Sequence, residues 1–282
     1  MNHTEKKFID LHIHSTVSDG TWTPSEIVKV IKEKNVEIFA ITDHDDTSAV
    51  MEGEVLAKKS GLNFIRGVEI SSTFESDWEH ILAYGIDVDN APLQQLLMEN
   101  RNKILEKDNA SIKHLKNHGY NVSNNEYMDY INDKRRGGFK LLNYLIDKGI
   151  CEDVRDFFNR FAEIEEVTNF PEYRSVKEVV EIIKRAGGIP VLAHLFYTNR
   201  NYDNINARLN QFVDQGIEGI ECYHPSHDLN VSAECIAFCR KNNLIMTVGS
   251  DCHGAFVPSR IIGMHSIRVE DIEIGQLKEH II

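Results

Sequence analysis

The sequence predicts an α/β protein in which parallel strands alternate with crossover helices. Three observations carry that class. Short β-branched runs recur along the chain with helical patterns between them. Of the 282 residues, 41% are hydrophobic, enough to bury a large core. Nearly every strand-like run ends on its C-terminal side in a histidine, aspartate or glutamate, and in parallel α/β barrels that end of the strands is where active sites are built. A chain of this length forms one large domain, or one that carries a smaller second domain.

Seven strands are expected: "FIDLHIH" (8–14), "EIFAITD" (37–43), "FIRGVEIS" (64–71), "HILAYGI" (80–86), "IPVLAH" (189–194), "IEGIECY" (217–223) and "LIMTVGS" (244–250). The first helix reads as "PSEIVKVIKEKN", with Pro24 suited to its first turn. "SVKEVVEIIKRAGG" ends on Gly187 and Gly188, either of which suits a C-terminal cap. "VSAECIAFCRKNN" supplies another helix. The alternation breaks between 91 and 169, where helical periodicity continues without a convincing strand. Residues 1–90 and 170–282 are therefore read as the main α/β unit, and 91–169 as a helical insertion able to lie over its mouth as a lid.

The formal charge of −13 argues against binding long duplex nucleic acid, which depends on a basic surface. A small anionic substrate remains compatible, because bound divalent cations reverse the field of an acidic pocket. No apolar run approaches the roughly 20 residues of a membrane span, and "MNHTEKKFIDLHIH" has no leader pattern. A cytoplasmic protein without a membrane partner is expected. The five cysteines are odd in number and lack CxxC spacing, against both a disulfide framework and a thiolate metal site. Cys252 sits between Asp251 and His253, so strand alternation turns its sulfur away from theirs.

The polar strand ends form a pattern. His12 and His14 are two apart and share a face, with Asp19 in the following loop. "TDHDD" gives His44, "GVEIS" gives Glu69, His80 opens the fourth strand, and "VLAH" ends in His194. "YHPSH" adds His224 and His227, and "SDCH" repeats the two-apart spacing with Asp251 and His253. A lone histidine is ordinarily a hydrogen-bonded structural residue, and His3, His114, His118, His265 and His280 are read that way. Burying the others together with carboxylates is too costly without cations. Imidazole and carboxylate without thiolate suit manganese, zinc or iron better than magnesium or calcium alone.

At these residues the chain resembles the polymerase-and-histidinol-phosphatase (PHP) family of metal-dependent phosphoesterases. The resemblance rests on "DLHIHSTVSDGTWTPSE", "ITDHDD", "GVEIS", "HILAYGID", "VLAH", "YHPSH" and "GSDCHG" in the family's order. Within the family it is most similar to the stand-alone phosphatases acting on nucleotides or RNA ends. The resemblance implies a distorted (β/α)7 barrel holding up to three divalent ions. His12, His14, Glu69 and Asp251 would hold the first; Glu69 would bridge to a second bound by His80 and His194; Asp19, His44 and His253 would hold a third. Two departures stand out: Leu195 follows His194 where the family often has proline, and "DKRRGGFKLLNYL" stands where the stand-alone phosphatases carry Arg-Pro-His.

The chemistry expected of such a site is hydrolysis of a phosphomonoester or phosphodiester, in a small nucleotide-like substrate or a short RNA 5′ end, by a metal-bound hydroxide. Glu69 is the expected catalytic bridge, with His227, or alternatively His224, protonating the leaving group. Arg135, Arg136 and Lys140 in the insertion, His227, and Arg260 after the last strand are the candidate substrate contacts. Two other activities fit a barrel with HxH on its first strand: hydrolysis of C–N bonds, and a histidinol-phosphate-type phosphatase reaction. A non-catalytic metal-stabilised module is a further reading. Oligomeric state is not legible in the sequence.

Overall fold

The computed structural model describes residues 7–195 and 204–282. His3 and the first part of the N-terminal segment read above lie outside the described residues. Strand β1 (Phe8–Asp10) leads through helix α1 (Pro24–Glu33) to β2 (Val36–Phe39), then through α2 (Val50–Ser60) to β3 (Asn63–Phe64). These three strands pair in parallel as one sheet. The start of α1 is fixed by Thr23, whose hydroxyl accepts from the Glu26 amide while the Glu26 carboxylate accepts from the Thr23 amide, with Pro24 opening the helix.

A second sheet holds β4 (Gly67–Phe74), β5 (Asp77–Tyr84), β6 (Ile189–Leu192), β7 (Gly219–Tyr223) and β8 (Ile245–Val248), in that order. This differs from the expected seven parallel strands in two ways. "FIRGVEIS" breaks into β3 and β4, and β5 runs antiparallel to both of its neighbours. The reason is local: only Glu75 and Ser76 separate β4 from β5, and a two-residue connection joins strands antiparallel. Glu75 takes the left-handed conformation the turn needs, at φ 58°. The fold is thus mixed α/β, with β6, β7 and β8 parallel through α9 (Ile205–Asp214) and α10 (Leu229–Asn242).

The seven residues expected for the first strand shorten to three, yet the chain beyond β1 still bonds across to the end of β8. The Leu11 amide donates to Val248 O and the His14 amide to Cys252 O, each at 2.9 Å. Beyond β2, the amides of Asp45 and Glu69 donate to Glu69 O at 2.8 Å and Asp43 O at 3.2 Å, linking the two sheets again. Leu11, Ile13, Phe39, Val68, Ile81, Val191 and Ile220 fill the main core, all buried.

Between β5 and β6 the chain is helical: α3 (Ala91–Asn117), α4 (Asn124–Asp129), α5 (Lys140–Asp147), α6 (Val154–Phe161), α7 (Glu165–Thr168) and α8 (Val176–Arg185). α8 packs with β4, β5 and β6, and its own capping pair is Ser175 with Glu178. The earlier helices enclose a separate apolar cluster of Ile112, Tyr127, Leu141, Leu145, Phe157 and Phe161. Each such side chain contributes about 2 kcal/mol by leaving water. Phe256, from the loop after β8, packs against this cluster and ties it to the polar rim. Among the described residues, no helix is long and apolar enough to cross a membrane.

Candidate metal centre

Buried polar contacts hold the loops that carry the candidate ligands. The Asp10 carboxylate accepts from the Ser250 and Gly263 amides at 2.9 and 2.8 Å, binding the end of β1 to the segment after β8. Asp43 accepts from the Ser15 amide, the Ser15 hydroxyl and the Ser18 hydroxyl at 2.8, 2.6 and 2.6 Å, which shapes the loop presenting Asp19. Gly20 closes that loop, because a Cβ there would lie 2.4 Å from His14 O. Asp45, left-handed at φ 47°, accepts from Asn100 Nδ2 at 2.7 Å and from the Ser71 amide at 3.1 Å, so α3 clamps the turn carrying His44.

All nine expected metal ligands converge. His12 Nε2 stands 3.1 Å from His14 Nε2, 3.2 Å from Glu69 Oε2 and 3.4 Å from Asp251 Oδ1. His14 Nε2 lies 3.2 and 3.1 Å from the same two oxygens. Donors about 2.1 Å from a shared tetrahedral ion are about 3.4 Å apart, so this spacing matches a common centre. The other oxygen, Glu69 Oε1, is 2.8 Å from both His80 Nδ1 and His194 Nε2, which are 3.2 Å from each other. Asp19 lies 3.3 Å from His253 Nε2 and 3.8 Å from His44 Nε2, and His14 with Asp19, His44 and His253 forms a donor group within 4.8 Å. His44 also reaches Glu69 Oε2 through Nδ1, at 3.1 Å.

Ordinary hydrogen bonding does not account for the cluster. Glu69 Oε2 has three imidazole nitrogens within 3.2 Å, yet it is buried without a well-formed hydrogen bond. For two rings the proton is assigned to the far nitrogen: His12 Nδ1 donates to Glu221 Oε1 at 3.0 Å, and His253 Nδ1 to Asp251 O at 2.8 Å. Their Nε2 lone pairs then face inward, the arrangement that metal-binding histidines take.

The charges agree. Burial alone would favour neutral carboxyls, but the surrounding histidines hold Glu69 and Asp251 well below the ordinary range and lower Asp19 and Glu221, the last to about 2. Burial opposes charge on His14, while Asp251 and Glu69 push the ring up to about 10. Burial leaves His44 depressed to about 3. Several ionised carboxylates in a largely buried hollow need positive charge among them, whether protons on imidazole or cations. The oxygen and nitrogen donors, the unbonded Glu69 oxygen and the inward lone pairs fit divalent ions. The hollow opens at Asp19 and His44, whose side chains retain 21% and 28% exposure.

The remaining expected site residues divide. His224 is in the cluster: its Nδ1 accepts from the Ser226 amide at 3.0 Å, leaving Nε2–H to donate to Asp251 Oδ2 at 3.1 Å. Burial lowers its pKa to about 4, so it is neutral near pH 7. His227 lies further out, half-buried, with its ring 5.7 Å from that of His224 and Nδ1 directed to Cys222 O at 3.4 Å. Arg260 donates to Asp251 Oδ2 and so reaches the site as a ligand's partner.

The three basic residues of the helical segment are not brought to the cluster. Arg135 pairs with both oxygens of Glu26, Arg136 with Asp147 at 2.6 Å, and Lys140 lies over the Tyr127 ring. Their attraction to nearby carboxylates and an aromatic face outcompetes a longer reach. What the segment does contribute is backbone contact with the ligand loop. The Gly138 amide donates to Asp19 O at 2.7 Å, and Lys134 donates to Val17 O and Ser18 O at 3.2 Å.

Sequence reasoning missed Glu221. Its Oε1 accepts from His12 Nδ1 and its Oε2 from the His194 amide at 2.9 Å, so one buried carboxylate orients two ligand-bearing segments. The approach requires Gly249, where a Cβ would lie 2.2 Å from His12 Cβ and 2.3 Å from Glu221 Oε1. The available signal was the second of two glutamates in the strand-like run "IEGIECY", three residues before His224.

Comparison with known proteins agrees with this geometry. The chain is 28% identical over 261 residues to a 3′,5′-nucleoside bisphosphate phosphatase of Chromobacterium violaceum, covering 90% of each chain. It is 29% identical to a phosphoribosyl 1,2-cyclic phosphate 1,2-diphosphodiesterase of Eggerthella lenta, covering 88% of this chain and 94% of the relative. It is 27% identical to the 5′-3′ exoribonuclease Rnm of Escherichia coli, covering 86% and 84%. A crystal structure from Bifidobacterium adolescentis shares the fold with a TM-score of 0.78, at 23% identity, over 98% of this chain and 95% of that one. The PHP domain model matches residues 10–221, and the chain belongs to the PHP domain family.

Proposed function

We propose that this protein is a metal-dependent phosphoesterase that hydrolyses a phosphomonoester or phosphodiester in a small nucleotide-like substrate or a short RNA 5′ end. The observation that carries the reading is the two-sided environment of Glu69, with one oxygen toward His80 and His194 and the other toward His12, His14 and His44. A carboxylate so placed suits a bridge between neighbouring cations. His12, His14, Glu69 and Asp251 would hold one divalent ion, Glu69, His80 and His194 a second, and Asp19, His44 and His253 a third, with manganese, zinc or iron as the candidates. Bound there, such ions supply Lewis acidity and lower the pKa of water.

The protein's own groups do the positioning. Glu221 fixes the His12 tautomer, while His224 and Arg260 both bond Asp251 and hold its carboxylate in place. His224 commits its Nε2–H to Asp251 Oδ2, and His227, whose Nδ1 faces Cys222 O, would pass a proton to a leaving group only as the imidazolium, a form that burial disfavours; His227 stays our candidate donor and His224 the alternative. We read 91–169 as an insertion that roofs the site, supported by its bonds to the Asp19 loop and by Asn100 beneath the His44 turn. The hydrogen bonds linking the two sheets beyond β1 and β2 support a wall of the distorted (β/α)7 kind. Five buried, unpaired thiols agree with a reducing compartment such as the cytoplasm.

The relatives bear on substrate: two are named for a nucleoside bisphosphate or RNA, one for a phosphoribosyl cyclic phosphate. The deciding experiment is a screen of manganese-reconstituted protein on mononucleotides, 3′,5′-bisphosphorylated nucleosides, short 5′-phosphorylated RNA, histidinol phosphate and simple amides. Release of phosphate or nucleotide is expected. Turnover confined to amides would replace the proposal with C–N hydrolysis, and no turnover of any ester would overturn it.

A further inference from the structure

Beside the metal-ligand cluster lies an aromatic pair that the hydrolytic chemistry does not use. Trp78 and His80 are two residues apart on β5, hence on the same face. β5 runs antiparallel to β4, with His80 opposite Ser71 and Trp78 opposite Thr73, so Trp78 is the nearer of the two to the β4–β5 turn. Its ring meets that of His80 edge-on, with centroids 4.2 Å apart and planes at 81°. Phe170 stacks on Trp78 with centroids 3.6 Å apart and only 13° from parallel, close to the ~3.4 Å rise of stacked bases.

The stack is built on a rigid support. Pro171 confines Phe170 to extended backbone. Just beyond, the Tyr173 amide donates to Thr73 Oγ1 at 2.9 Å and the Thr73 amide to Arg174 O at 3.0 Å, pinning the segment to the end of β4. Thr73 is itself the cross-strand partner of Trp78. Phe170 nevertheless keeps 42% exposure, a part-exposed phenyl on a fixed support, one ring removed from His80 of the polar cluster.

We propose that Phe170, backed by Trp78, is the binding plate for a purine or pyrimidine base whose phosphate lies at the Glu69 cluster. The proposal rests on the phosphoesterase reading and narrows it to substrates that carry a base. Every base has a π-face, so such a plate accepts nucleotides without strong sequence preference. A sugar phosphate lacking a base gains nothing from it.

The test compares wild type with Phe170→Ala and Phe170→Tyr on AMP and on ribose 5-phosphate, in two arms. In the kinetic arm, Phe170→Ala should raise KM for AMP on the order of tenfold, leave ribose 5-phosphate unchanged, and be rescued by Phe170→Tyr. Equal effects on both substrates, or none on either, would overturn the plate. In the binding arm, intrinsic tryptophan fluorescence is titrated with each ligand, with and without manganese. Quenching by AMP, absent with ribose 5-phosphate and lost in Phe170→Ala, supports the plate; the same response to both ligands refutes it. Should wild type hydrolyse no phosphoester, the reaction assignment falls while the fluorescence arm still decides whether a base is bound.

Discussion

Replacing Glu221 by Gln isolates the effect of orientation from that of ligation, because Glu221 bonds two ligand-bearing segments and is not itself among the nine convergent groups. Its carboxylate accepts from His12 Nδ1 at 3.0 Å and from the His194 amide at 2.9 Å, using a different oxygen for each. A glutamine has one acceptor oxygen and an NH2, so whichever way it turns, an N–H faces one of these donors. Either the His12 ring must give up its Nδ1 proton, which moves to the inward nitrogen and blocks it, or the His194 segment must shift. Losing one hydrogen bond to a charged acceptor costs about 1.5–3 kcal/mol, and removing such outer partners lowers metal affinity roughly 10- to 100-fold. The two ranges agree, since tenfold corresponds to about 1.4 kcal/mol. Chelator competition followed by elemental analysis measures the affinity, and hydrolysis across a manganese titration should recover at high metal. A Glu221→Gln protein that binds and responds to manganese like the wild type would refute the reasoning.

Three other perturbations probe the cluster directly. Glu69→Gln places an amide among five imidazoles and should abolish hydrolysis while circular dichroism stays native; normal turnover with full metal content would remove Glu69 from the bridging role. His253→Ala should lower the metal stoichiometry by one ion per chain, read by elemental analysis, and an unchanged count would break the grouping with Asp19 and His44. With Asp251 and Glu69 pushing its pKa up to about 10, His14 is expected to carry its second proton at pH 8 before metal is added. Manganese must displace that proton, so uptake should release acid in a weakly buffered solution and tighten as pH rises. A pH-stat trace without proton release would show that the ring is already neutral.

Much of the site was readable before any coordinates because ligand chemistry is written in residue type and spacing. His12 with His14, and Asp251 with His253, are two-apart pairs, a spacing that shares a face in extended backbone; both pairs in fact lie just beyond β1 and β8, with Asp251 left-handed at φ 50°, and still converge. The antiparallel course of β5 was not readable from the alternation of patterns, since it depends on Glu75 and Ser76 forming a two-residue turn within one continuous β-prone stretch. The charged run "DKRR" suggested anion contacts, but Glu26 and Asp147 are near enough to neutralise Arg135 and Arg136 first. Glu221 escaped notice because nothing in a linear string says that an acidic residue on one strand faces a histidine 209 positions away.

The sequence by itself determined the donor set: imidazoles and carboxylates, no thiolate, at the ends of β-branched runs in an acidic chain. It thereby pointed to divalent ions and to metal-dependent phosphoester chemistry. Only the tertiary structure decided which donors lie together, which nitrogen of His12 and His253 faces a hydrogen-bond acceptor, and that Glu69 presents a different oxygen to each side. The physical reason is that coordination and hydrogen bonding act over about 2–3 Å. Separations of that size between distant segments are set by packing, through contacts such as Gly249 against His12 and Asn100 against Asp45.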